Sequence, residues 1–221
     1  MKKLCNLLIY IPIGFVALSI LLVLVMKYIP VTVTPLMVKR SVQFSADTSF
    51  KTIRSWKNLS EISKDAVGVI VMSEDSRFWQ HHGVDFHEIR RMLLAYSNGV
   101  AGLRGCSTIS QQVAKNCFTF CSDSWLRKIP ELYWTGLIEL FWSKERILEV
   151  YLNVAEMGRG IYGIEAASRI YYHCPAKQLT LHEAAELAAC MPLPLERTPL
   201  TIWNKAPDKI RKIVAKAHKN S

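Results

Sequence analysis

Only one stretch of this sequence is apolar and long enough to cross a bilayer, which excludes a multi-pass transporter. The chain has no Gly/Ser-rich linker and no internal repeat, so nothing divides it into modules. It lacks zinc-finger spacing and any RNA-recognition signature, and no nucleic-acid partner is expected. Cys106, Cys117, Cys121, Cys174 and Cys190 form no paired CxxC units and Cys5 falls in the apolar stretch, so structural zinc is not expected either. Cys117 and Cys121 are four apart and would meet on a helix, while small buried hydrophobes are the default reading of these thiols. Acidic residues are few, 18 Asp+Glu against 28 Lys+Arg, for a net charge of +10. That balance suits anionic headgroups, an anionic substrate or a scatter of solvated lysines. Half of the 221 residues are hydrophobic, which excludes intrinsic disorder and leaves one compact domain after an anchor.

The anchor is the uncharged run from Leu4 to Met26. As a helix it is about 34 Å long, enough for a hydrocarbon core of roughly 30 Å. Pro12 and Gly14 interrupt it, which membrane helices tolerate. A cleaved signal peptide would be shorter and end in a small-x-small site, and no Ala-x-Ala is present. Lys2 and Lys3 favour an N-terminus inside, but Lys27, Lys39 and Arg40 follow closely, so charge alone leaves orientation near a tie. The expected division is 1–29 for the N-terminal tip and anchor, 30–58 for a juxtamembrane connection, and 59–221 for the folded domain. Pro30, Pro35 and a Val/Thr-rich stretch argue against helix in the connection.

Beyond it the pattern is helical. Ser63 caps a helix ending near Glu74, and Asp85 with Glu88 forms a capping box. A helix spans about Trp125 to Phe141, Ser143 caps the next, and Thr180 with Glu183 starts another that Pro192 stops. The segment from Lys209 to Lys219 is basic and amphipathic. Little reads as strand, so the domain is mainly α.

Three segments carry chemistry. Residues 74–85 place Glu74, Asp75, Arg77, His81, His82 and Asp85 among bulky aromatics between two helices. A carboxylate against apolar walls takes up protons more readily and becomes a candidate base, although capping and salt bridges explain such a cluster equally. Residues 104–116 string hydroxyls and amides (Ser107, Thr108, Ser110, Gln111, Gln112) toward Lys115 and Asn116, with Arg104 ahead of them. Such groups at a helix start suit sugar hydroxyls or phosphate oxygens, or form a polar loop entering a helix. Arg127 and Glu131 share a helical face beside Lys128 and Pro130. That set suits a diphosphate, or makes a surface ion pair.

Together these segments resemble glycosyltransferase family 51 of peptidoglycan synthesis, in its monofunctional, membrane-anchored branch. Its first motif, Glu-Asp-x-x-Phe-x-x-His-x-Gly, is matched by Glu74, Asp75, Phe78, His81 and Gly83. Ser107, Thr108, Ile109, Gln111, Gln112, Lys115 and Asn116 answer the second, and Arg127, Lys128 and Glu131 the third. Lys144, Ile147, Leu148, Glu149, Tyr151, Leu152 and Asn153 complete a fourth. The resemblance runs from about Val31 to Arg197. It implies a lysozyme-like helical fold, with a small subdomain dipping into the lipid, that polymerises lipid II on the outer face of the bacterial cytoplasmic membrane. Glu74 and Glu131 would be the catalytic residues, Glu74 as the general base. Glu131, with Lys115, Arg127 and Lys128, would hold the donor's diphosphate, and Asp75, Arg104 and the run Ser107 to Gln112, with Asn116, would line the site. A divalent cation (Mg or Mn) is expected to assist, with Asp75 or Glu131 as candidate ligands; no organic cofactor is expected. The partners implied are lipid II, the growing lipid-linked strand, the membrane and other cell-wall synthases. The topology implied is a single-pass protein of the inner membrane, with its N-terminus inside and its catalytic domain periplasmic. The transpeptidase domain of bifunctional relatives is not expected.

Three positions depart from the family pattern. Cys106 replaces a glycine, which costs about 1 kcal/mol if that position needs positive φ. His173-Cys174 stands where Gly-Lys is usual, and Pro130 is atypical in the third motif. A lytic transglycosylase, which shortens the same glycan, and a non-catalytic lipid II or cell-wall scaffold are the rival readings.

Overall fold

The computed structural model describes residues 2–100, 105–120 and 125–220. Helix α1 (Lys2–Tyr28) contains the single candidate membrane span among the described residues, Tyr10–Tyr28. Its outward surface is apolar, with Tyr10, Ile11, Leu18 and Leu21 exposed. Its last turns are bound to the body of the protein. Trp142 Nε1 donates to the Val23 carbonyl at 2.8 Å, and the Arg146 guanidinium donates to the carbonyls of Met26, at 2.8 Å, and Ile29. The Met26 and Ile29 carbonyls lie at the helix C-terminus, where backbone acceptors lack partners and a cation is favoured.

The expectation of no helix in the juxtamembrane segment is corrected by α2 (Pro35–Gln43). Thr34 is its N-cap, with Oγ1 accepting from Met37 N at 3.2 Å. Pro35 sits in the first turn, where its missing N–H has no helical partner to lose and its fixed φ favours initiation. Leu36 and Met37 of this helix are buried against Tyr162. The segment then adds an edge strand, β1 (Ile53–Arg54), parallel to β3 (Ile161–Tyr162), which pairs antiparallel with β2 (Glu156–Gly158).

The other described elements are helical, as the sequence pattern indicates. They are α3 (Lys64–Glu74), α4 (Phe86–Ser97), α5 (Ile109–Phe118), α6 (Lys128–Phe141), α7 (Lys144–Val154), α8 (Ile164–Tyr172), α9 (Leu181–Cys190), α10 (Pro199–Lys205) and α11 (Pro207–Asn220). The capping signals do their expected work. Ser63 accepts from Ala66 N at 3.4 Å, Ser143 from Arg146 N at 3.2 Å, and Thr180 and Glu183 bond reciprocally. Asp85 caps α4 through Glu88 N at 3.0 Å, but the Glu88 side chain turns to Arg91 instead of closing the box. Helix α7 is buried almost all round, through Ile147, Leu148, Val150, Tyr151 and Leu152, which makes it the central helix. Each such aliphatic side chain contributes about 1.5–3 kcal/mol on burial. Helix α5 packs on α6 and α7, and α3 packs on α9 and α11.

Helix α8 ends on His173 at φ 57°, the left-handed C-cap geometry that glycine adopts without penalty. His173→Gly is therefore expected to stabilise the protein by about 1 kcal/mol. Thermal melting checks this, and a lower melting temperature would refute the strain argument.

Candidate active site

Glu74 is the last residue of α3, and Asp75 is the first to leave the helix, at φ −157°. The Asp75 carboxylate is buried. Both its oxygens lie 3.0 Å from His81 Nε2, and Oδ2 also accepts from the Ile109 backbone N–H at 3.0 Å. Asp75 thus joins the end of α3 to the start of α5. A second staple lies beside it, where Thr108 Oγ1 donates to the Gly83 carbonyl at 2.6 Å. Gly83 has φ +88°, and a Cβ there would lie 2.7 Å from Thr135 Cγ2 in α6, so only glycine lets the loop pass so close.

Thr108 and Gln111 form a reciprocal capping box on α5. Thr108 Oγ1 and Gln111 Oε1 are thereby engaged at the helix start. Ser110 Oγ bonds Glu139, which accepts from Lys144 Nζ at 2.7 Å, and Lys144 lies 4.5 Å from the centre of the Phe78 ring. Gln112 faces the other way and meets the candidate base. Its Nε2 donates to Glu74 Oε2 at 3.2 Å, while its Oε1 accepts from the Tyr151 hydroxyl at 3.3 Å.

Burial raises the Glu74 carboxyl above its ordinary range. The Gln112 amide, the Lys209 charge and the Tyr151 hydroxyl oppose that shift, and the Asp75 charge adds to it. Glu74 is therefore a proton acceptor shifted toward neutrality by desolvation. It opens on a polar cavity of about 250 Å³ whose lining includes Asp85, Arg91, Cys106, Ser107 and Lys216.

Glu131 is 1 % exposed in the first turn of α6. Its carboxylate is held by Arg127 and by Lys128 Nζ at 2.9 Å. Lys128 also donates to Ser107 Oγ at 3.0 Å, which brings this ion set to the edge of the Glu74 cavity. Pro130 lies in the same first turn, where a missing N–H breaks no helical bond. The Glu131 carboxylate is thus the common partner of these two cations.

The structure assigns Lys115 and Asn116 to a different place. With Gln112 they line a second polar cavity of about 210 Å³, opposite the Arg40–Glu156 ion pair. Burial raises the Glu156 carboxyl, against the Arg40 charge. Gln112 lies between the two cavities, bonded to Glu74 on one side and lining the Lys115 cavity on the other. Arg104 and Cys121 lie outside the described residues, so their expected roles have no geometry here.

Neither candidate metal ligand fits a cation. Both Asp75 oxygens already serve His81 and the Ile109 N–H, and Glu131 lies against two positive charges that would repel an ion. Among the described residues no group of three or more His, Cys, Asp or Glu side chains could hold a metal.

Cys106 lines the Glu74 cavity and does not adopt positive φ; His173 is the sole non-glycine that does so among the described residues. The expected backbone strain at Cys106 is therefore absent. Cys106→Gly should leave lipid II turnover within about twofold of wild type, as substitutions without packing or backbone consequences do. A complete loss of turnover would show that the thiol acts in the reaction.

Tyr151 was legible only as an apolar-face and motif residue, and its hydroxyl bond to Gln112 had no local signal. The approach of Lys209 and Lys216 to the cavity is also tertiary, since α11 lies far from Glu74 in sequence.

Comparisons with known proteins agree with this geometry. The transglycosylase family model matches residues 42–218. A biosynthetic peptidoglycan transglycosylase of Chromohalobacter salexigens is 45 % identical over 184 residues, covering 83 % of this chain and 78 % of that protein. Proteins of the same name from Bacteroides thetaiotaomicron (46 % over 191 residues, 86 % and 75 % of the two chains) and Haemophilus influenzae (43 % over 176 residues, 79 % and 72 %) are similarly close. The match spans every element that builds the Glu74 cavity and its cation set, and on that ground the chain belongs to the transglycosylase family.

Proposed function

We infer that this protein is a peptidoglycan glycosyltransferase that polymerises lipid II into glycan strands. The observation that carries the reading is Glu74, raised toward neutrality by burial and held by Gln112 in a polar cavity that Lys128 borders through Ser107. Glu74 takes the proton from the 4-hydroxyl of the acceptor sugar. As the proton leaves, that oxygen forms a bond to C1 of the lipid-linked sugar. The bond from C1 to the diphosphate oxygen breaks, its electron pair leaves with undecaprenyl diphosphate, and C1 inverts. Arg127 and Lys128, held by Glu131, offset the charge growing on the leaving group.

The apolar helix α1 fits membrane anchoring. An undecaprenyl tail leaves the bilayer only at high free-energy cost, so an anchored site meets its substrate where the tail resides. The topology proposed is N-terminus inside, with the domain on the outer face of the cytoplasmic membrane.

The test uses detergent-solubilised protein and labelled lipid II, with products resolved on a gel before and after muramidase. A muramidase-sensitive ladder is expected. Shortening of added strands would favour the lytic reading, and binding without turnover would favour a scaffold.

A further inference from the structure

Gly68 lies inside α3, a position where glycine weakens a helix relative to alanine. Nothing in the protein requires it, because a Cβ there would meet no atom within 4 Å and its φ lies outside the left-handed region. The space above it belongs to a cavity of about 520 Å³, within the size range of ligand pockets. Helix α3 forms its floor, and Ala217 near the end of α11 lines it as well. Trp79 stands on its rim, 52 % exposed, and is fixed edge-to-face on the buried Phe78 ring at 5.0 Å and 68°. Lys64 and Asp65 supply charged hydrogen-bonding groups. Met72 and Ser76 line both this cavity and that of Glu74, so the two cavities adjoin.

We propose that this cavity, at Gly68 and Trp79, is a sugar-binding subsite for the glycan strand, adjoining the units being joined. It rests on the reading of the chain as a glycan polymerase. A pre-positioned aromatic face beside an open helix floor accepts the flat C–H face of a pyranose ring. Lys64 and Asp65 reach its hydroxyls and acetamide. An extended stem peptide would want a row of backbone partners, which a helix wall does not offer.

The experiment is titration calorimetry of the full-length protein in detergent with chitotetraose, four linked N-acetylglucosamines. The wild type is expected to bind it. Gly68→Leu and Trp79→Ala should each weaken binding by at least roughly tenfold, and Trp79→Phe should keep it within about threefold. Gly68→Leu should melt no lower than wild type, since it fills open space and favours helix, so its binding loss cannot be read as unfolding. Unchanged affinity in Gly68→Leu, no binding by wild type, or equal competition by a free stem pentapeptide would each overturn the subsite. Lipid II turnover by the same wild-type preparation separates that failure from failure of the polymerase reading.

Discussion

Glu74→Gln is expected to lower lipid II polymerisation by roughly 10³-fold, the middle of the range for losing a general base. The fold should survive, because a glutamine oxygen still accepts from the Gln112 amide that now bonds Glu74 at 3.2 Å. Stability should move the opposite way from activity. The folded protein holds the Glu74 proton more tightly than the unfolded chain, since burial raises that carboxyl. Its contribution is therefore fully favourable below the ordinary carboxylate range and declines as pH rises through the raised value. At neutral pH the wild type carries a half-buried charge that glutamine lacks, so Glu74→Gln should melt at or above the wild-type temperature at pH 7. The advantage should vanish near pH 4. The same shift puts the acid limb of wild-type kcat/KM above the ordinary glutamate range, because the base must be ionised to act. A pH–rate profile and paired melting curves check all three points. Wild-type turnover by Glu74→Gln would end the assignment of the base.

The sequence made the helical class, the long apolar first helix and most helix starts legible because these depend on local signals. Ser63, Ser143 and the Thr180–Glu183 pair cap the helices that follow them. The same kind of signal is ambiguous at α2. Pro35 reads as a helix breaker in isolation, but Thr34-Pro35 is a cap followed by a favoured first-turn proline. The strands were invisible for a different reason. Two or three residues are too few to show alternation, and β1 exists only because Gly160 and Ile161 lie beside it.

The site divides along the same line. Glu74 stands where an apolar helix meets a polar loop, which composition reveals. Asp75, Thr108 and Gln111 look like ligand-facing groups, but Asp75 Oδ2, Thr108 Oγ1 and Gln111 Oε1 complete a helix start and a loop staple. Residue type does not distinguish a cap from a substrate contact; only the direction of the hydrogen bonds does. Lys115 shows the remaining limit. Its charge suggests a place beside Lys128, yet one helical face carries it with Gln112 and Asn116 into the other cavity.

Glu131→Ala is expected to lower kcat/KM by roughly 10²-fold through loss of position, not of a proton carrier. The Glu131 carboxylate is the common anchor of Arg127 and Lys128, and Lys128 bridges from it to Ser107. Without it the two cations repel each other and Lys128 loses its register at the cavity edge. Removing one partner of a buried ion pair costs several kcal/mol. Here the Arg127 and Lys128 side chains are 31 % and 41 % exposed, so solvent screening reduces the expected loss to about 1–3 kcal/mol. Glu131→Gln retains an acceptor oxygen and should fall between alanine and wild type in both stability and rate. The pH profile distinguishes position from proton transfer. If Glu131 only orients cations, the acid limb of kcat/KM in Glu131→Gln stays where Glu74 sets it, and the loss appears as a uniform drop across pH. An acid limb that moves or disappears would make Glu131 a second titrating group in the reaction, and the assignment of proton transfer to Glu74 alone would fall.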